Sequence, residues 1–103
     1  MGREGSGWAP SVSVNAFGSL RILGEILGLD PKSHALRMAG RSLVSAYDEA
    51  TIYWLNNDEP FSVDVMVDYM IQLGVSALRS AATLDPTIDI TSALETLLDA
   101  GNN

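Results

Sequence analysis

The stretch Val63-Asp64-Val65-Met66-Val67-Asp68-Tyr69-Met70-Ile71-Gln72-Leu73-Gly74-Val75-Ser76-Ala77-Leu78-Arg79-Ser80-Ala81-Ala82 decides the fold. Asp64, Asp68, Gln72, Ser76 and Arg79 recur at helical spacing and occupy one narrow strip. Val63, Val65, Met66, Val67, Met70, Ile71, Leu73, Val75, Ala77, Leu78 and Ala81 fill the rest of the circumference. A one-sided amphipathic helix carries an apolar stripe of about 100° or somewhat more. This helix, capped by Ser62, exceeds that and is expected to be buried on two sides.

Working outward, Asn56-Asn57-Asp58-Glu59-Pro60 forms a polar connection to a preceding long helix, expected from Pro31 to about Leu55 with Asp30 as its cap. Leu36, Gly40, Leu43, Tyr47, Ala50 and Trp54 make one face of it, and Ala35, Ala39, Ser42, Ala46 and Ala50 make a neighbouring row of small residues. Phe17, Leu20, Leu23 and Leu27 predict a short helix that ends at Gly28, and Gly24-x-x-x-Gly28 within it reads as fraying more than as a close contact. Downstream, Leu84-Asp85-Pro86-Thr87 is a turn. A last short helix follows, with Ser92 and Glu95 at capping-box spacing, Leu94, Leu97 and Leu98 inward, and Gly101 past its end. Residues 1–15, rich in Gly and Ser, read as a flexible lead-in with Trp8 loose or docked, and Ser11-Val12-Ser13-Val14 alternates like a strand but has no partner. The expected fold is all-α: a short helical bundle built on two long antiparallel helices.

The chain has 103 residues, 13 acidic and 6 basic side chains and a formal charge of −7, which fits one acidic domain. It contains no Cys, which excludes disulfide scaffolds, thiol catalysis and Cys-based zinc sites. The acid excess argues against a grip on a phosphate backbone. No apolar segment reads as a targeting signal or a membrane span, so a cytoplasmic location is expected. The paired carboxylates Asp48-Glu49, Asp58-Glu59, Asp64/Asp68 and Asp85/Asp89 fit solvated or capping roles. The single histidine, His34, belongs on the surface, and the phosphate-loop, dinucleotide and nucleophile-elbow glycine motifs are missing. Neither catalysis nor a cofactor nor a metal is expected.

What rises above background is apolar surface with too little chain to cover it. Two helices cover each other on one side only, and a monomer that left the rest exposed would exceed the patch of a few hundred Å² that is usual. Self-association is therefore expected, unless the first and last helices cover those faces. Helices approach closely where side chains are small. Ala39 and Ala46 on one helix, with Gly74, Ala77 and Ala81 on the other, are the candidates for a homodimer seam.

The stretch from about Leu29 to Leu84, above all Ala39-Gly40-Arg41-Ser42-Leu43-Val44-Ser45-Ala46-Tyr47-Asp48-Glu49-Ala50-Thr51-Ile52-Tyr53-Trp54-Leu55, resembles the C-terminal domain of TetR-family transcriptional regulators. There, too, an Ala- and Gly-rich helix ends near a Trp-Leu pair, a polar loop follows, and Ser and acidic residues open a helix that closes in small residues, like Leu73-Gly74-Val75-Ser76-Ala77-Leu78. The resemblance implies a ligand-binding and dimerisation domain (16–103) whose two long helices form a four-helix bundle across a homodimer. It also implies a small-molecule effector as a partner, with Leu43, Tyr47 and Trp54 on the large-residue face either lining what remains of its cavity or filling the core. The family's N-terminal helix-turn-helix has no counterpart before Phe17. The chain is thus expected to be a regulatory and dimerisation domain or a truncated form, without DNA binding of its own. The rival reading is an unrelated small helical protein-interaction module.

Overall fold

Four helices follow one another in the computed structural model, which describes residues 10–102: α1 Pro10–Gly28, α2 His34–Asn56, α3 Val63–Leu84 and α4 Thr91–Asn102. Among the described residues there is no strand, and the protein is all-α. Residues 1–9, with Trp8, lie outside the description.

Helix α1 starts at Pro10, seven residues before Phe17, so the latter part of the expected lead-in is helical. Proline suits a first helical position because its φ is preset and its missing N–H has no partner to lose there. No breaker follows before the apolar row begins, and once nucleated a helix extends cheaply. Helix α2 is capped by Ser33 and not by Asp30: the Ser33 hydroxyl accepts from the Leu36 N–H at 3.1 Å. The Asp30 carboxylate is engaged one turn earlier, accepting from the Lys32 and Ser33 N–H groups at 2.7 and 3.0 Å. Pro31 therefore lies in that turn. Ser62 caps α3 as expected, accepting from the Val65 N–H at 3.2 Å.

The α2–α3 connection is tight. Asp58 and Glu59 both take left-handed backbone, with φ of 62° and 52°, and the Glu59 N–H donates to the Trp54 carbonyl at 2.8 Å, closing the end of α2. The Trp54 indole N–H donates to the Phe61 carbonyl at 2.7 Å, tying the far side of the turn back onto the helix. Helix α4 opens at Thr91, whose N–H donates to the Asp89 carboxylate at 2.9 Å, and Ser92 sits inside its first turn instead of capping it. Gly101 lies within this helix, not beyond it. Leu97 is fully buried and Leu94 partly so, whereas Leu98 is 53% exposed because the next residue points about 100° further round the helix.

Glycines set the α1–α2 crossing. A Cβ on Gly40 would stand 2.5 Å from the Gly24 carbonyl oxygen and 2.7 Å from the Leu27 carbonyl carbon. Gly24-x-x-x-Gly28 is therefore the floor of a backbone-to-backbone contact, not a frayed end. Leu20, Leu43, Met70, Leu78 and Leu97 anchor the core beside it. Helix α1 lies against α2, α3 and α4, and α4 against α3 and α1. Both cover the same side of the α2–α3 hairpin.

Candidate functional site

The large residues expected either to line a cavity or to fill the core are buried, and Trp54 also borders a groove. Leu43, Tyr47 and Trp54 are 3%, 3% and 7% exposed. The Tyr47 hydroxyl donates to the Met70 carbonyl at 3.0 Å, and burial pushes its pKa up to about 12. Phe17 meets Trp54 edge to face at 6.4 Å between ring centroids.

The small residues proposed for the seam are mostly taken up within the chain. Ala39 and Ala81 are buried with Ala35 in a small cluster that includes the half-buried Ala77 at its edge. Gly74 lies under Leu97 and Tyr47: a Cβ there would meet Leu97 Cδ2 at 2.8 Å and Tyr47 Oη at 3.0 Å. Ala46 is half-buried beside a groove. Small side chains bring α2, α3 and α4 together inside one protomer before any second copy is considered.

That groove, of about 640 Å³, lies near the turn end of the hairpin, between the C-terminal half of α2 and the N-terminal half of α3. Tyr53, Trp54, Phe61, Val65 and Tyr69 border it, and Glu49 is the one charged residue on its wall. Tyr53, Phe61, Val65 and Tyr69 are each more than half exposed, an unusual state for four large side chains on neighbouring surface. The sequence pattern puts Val65 among the buried apolar residues of its helix and assigns Tyr53, Phe61 and Tyr69 no place, although Phe61, Val65 and Tyr69 recur at i, i+4 and Tyr53 precedes Trp54. The same face continues to the open end of the hairpin. Ser42 and Met38 follow Ala46 on α2, and Leu73, Ser76, Ser80 and Leu84 follow Tyr69 on α3 at helical spacing, with the exposed Gln72 and Arg79 alongside. Met38 and Leu84 are also exposed, and they border one hollow together.

Asp48, Asp85 and Asp89 are occupied structurally. Arg21 donates from Nε and a terminal nitrogen to both oxygens of Asp48, each at 3.1 Å, and to Glu25 at 2.8 Å. The hydrogen bond from Arg21 holds the Asp48 carboxyl below its usual range. Hydrogen bonds from Thr87 and Thr91 do the same for Asp85 and Asp89 in their turns. His34 is exposed at the start of α2. Among the described residues, no group of three or more acidic, His or Cys side chains is gathered to hold a metal. No helix among them is long and apolar enough to cross a membrane. Compared with known proteins, the chain matches no family model, no curated protein and no solved structure.

Proposed function

We propose that the chain is a non-catalytic regulatory and dimerisation module of the TetR-like kind, pairing with a second copy through the face of the α2–α3 hairpin that α1 and α4 leave open. The observation that carries this reading is the face itself. It holds Met38, Tyr53, Phe61, Val65, Tyr69 and Leu84 exposed, with Glu49 beside the turn-end groove and Lys32 and Asp85 beside the Met38–Leu84 hollow. The chain is strongly acidic overall, so a turn-end groove spanning two helices with a single charged residue on its wall marks a surface for an apolar partner. The sequence likeness over the two long helices supports the same pairing. The exposed row Ile22, Ile26 and Leu29 on α1 is only one helix wide and is the weaker candidate.

Sedimentation equilibrium of the wild type and of Tyr69→Glu tests the proposal. Tyr69 is 51% exposed in one protomer, so the variant folds, and circular dichroism verifies its helicity. In a two-fold interface the change enters twice, desolvating two unpaired carboxylates at a cost of several kcal/mol. The wild type is expected to be a dimer at micromolar concentration and the variant a monomer. A monomeric wild type, or a variant that dimerises equally well, refutes the reading. With its −7 charge, no sequence-dependent binding of duplex DNA is expected.

A further inference from the structure

The two ends of the open face differ in relief. Toward the α2–α3 turn it carries Tyr53, Phe61, Val65 and Tyr69 around the groove. Toward the other end the exposed positions at helical spacing are Ser42 on α2 and Ser76 and Ser80 on α3, with Arg79 beside these serines and Met38 and Leu84 only at the far edge. The middle of the face is Ala46 on α2. It lies level with Leu73 on α3, as the Tyr47 hydroxyl bond to the Met70 carbonyl and the Ala39–Ala81 contact fix the register of the two helices.

We propose that the occupant of this face is a second copy turned end for end, with a two-fold axis passing between Ala46 and Leu73 across the helices. This rests on the dimer reading above and adds its register. Bulk then meets hollow. Tyr69 of one copy lies on the Ser76–Ala77 segment of the other, Val65 lies on Ser80, Tyr53 reaches Met38, and Phe61 reaches Leu84. The groove is thus a half-site that the C-terminal half of the other copy's α3 closes. The opposite arrangement, with the axis along the helices, stacks both aromatic ends on one another and leaves the serine-rich ends facing across a gap, which dense interfaces do not tolerate. It also brings both Asp58-Glu59 turns together. The end-for-end arrangement keeps the two acidic turns apart, at opposite ends of the pair. The size fits. Helices of 23 and 22 residues give a face about 34 Å long and about 19 Å wide, roughly 650 Å² in plan, close to the ~800 Å² of corrugated surface per partner in a standard interface.

The chain has no native Cys, so engineered thiols report the register directly. Ala46→Cys sits on the axis and is expected to form a disulfide-linked dimer with itself under mild oxidation. Tyr69→Cys and Ser76→Cys, both at exposed positions, are expected to cross-link several-fold more in an exchanged mixture than either does alone. Two Tyr69 positions stand about 12 Å apart along the helices in this register, beyond the Cα separation a disulfide spans. A dimer in which Ala46→Cys does not link to itself, or in which Tyr69→Cys links as well alone as with Ser76→Cys, overturns the register and leaves the dimer standing. A wild type that sediments as a monomer overturns both.

Discussion

Gly40→Ala should be among the costliest single-methyl changes in this protein. The added Cβ would stand 2.5 Å from the Gly24 carbonyl oxygen and 2.7 Å from the Leu27 carbonyl carbon. Carbon contacts settle at about 3.5 Å or more, so α1 must retreat from α2 by about 1 Å. Its obstacles are backbone atoms, which no rotamer change can move aside. A gap of 0.5–1 Å forfeits about a quarter to a half of each dispersion contact along the seam, where Leu20 and Leu27 are 1% and 8% exposed. Overpacking of this kind costs about 1–3 kcal/mol, and a backbone obstacle belongs at the upper end. Alanine returns about 1 kcal/mol of helix propensity. The net expectation is a loss of about 2 kcal/mol, a fall in Tm of roughly 8–16 °C for a domain of this size. Gly18→Ala is the matched control, because a Cβ there meets nothing within 4 Å, and it should gain about 0.5–1 kcal/mol. Thermal melts followed by circular dichroism at one fixed protein concentration measure both. If Gly40→Ala melts at or above the wild type, α1 does not cross α2 at these glycines and the packing described here is wrong.

Tyr47→Phe keeps the ring but deletes the bond to the Met70 carbonyl, and should lower the unfolding free energy in urea by about 1 kcal/mol without altering helicity. The same hydroxyl predicts alkaline instability. Its pKa rises from 10.0 to about 12 on folding, so its contribution is complete below pH 10 and is lost as the pH climbs through about 12. The wild type should lose on the order of 2 kcal/mol across that window, whereas Tyr47→Phe should show a smaller fall; equal alkaline profiles would contradict the assignment. Glu59→Gly relieves a side chain held at φ 52° and should raise the urea midpoint, by about 0.5–1 kcal/mol in free energy. A midpoint that stays or falls would mean that the turn is not left-handed at this residue.

Helix type and order were legible because the apolar periods are long and strong. Ser62 announced the start of α3, and Tyr47 and Trp54 announced the large-residue face of α2. The misreadings have local causes. Asp30 and Ser33 are both good caps, and the choice between them depends on which turn amides Asp30 has already satisfied. Glycine pairs mean fraying in an isolated helix and close contact in a packed one. Gly24 and Gly28 could be told apart from frayed residues only once Gly40 was known to lie above them. The small residues posed the same ambiguity on a larger scale. Ala39, Gly74 and Ala81 signal that something approaches closely, but spacing alone does not say whether the visitor is a neighbouring helix or another chain.

That ambiguity explains why the exposed aromatics went unnoticed, and it bears on how the chain uses its surface. The protein is 18 Å across its thinnest direction, under two full helix diameters, so it is a slab with the α2–α3 hairpin as one layer and α1 and α4 as the other. In a two-layer slab each helix of the hairpin has one covered side and one open side. The covered side places glycines at its tightest points, Gly40 under α1 and Gly74 under Leu97 of α4. Away from those two crossings the covered side takes large groups, among them Leu43, Tyr47, Met70 and Leu78. Tyr53, Phe61, Val65 and Tyr69 are exposed because neither α1 nor α4 lies over that side of the hairpin. The tight internal crossings and the open apolar face are two consequences of one thin architecture, and a second layer over that face would have to come from outside this four-helix slab.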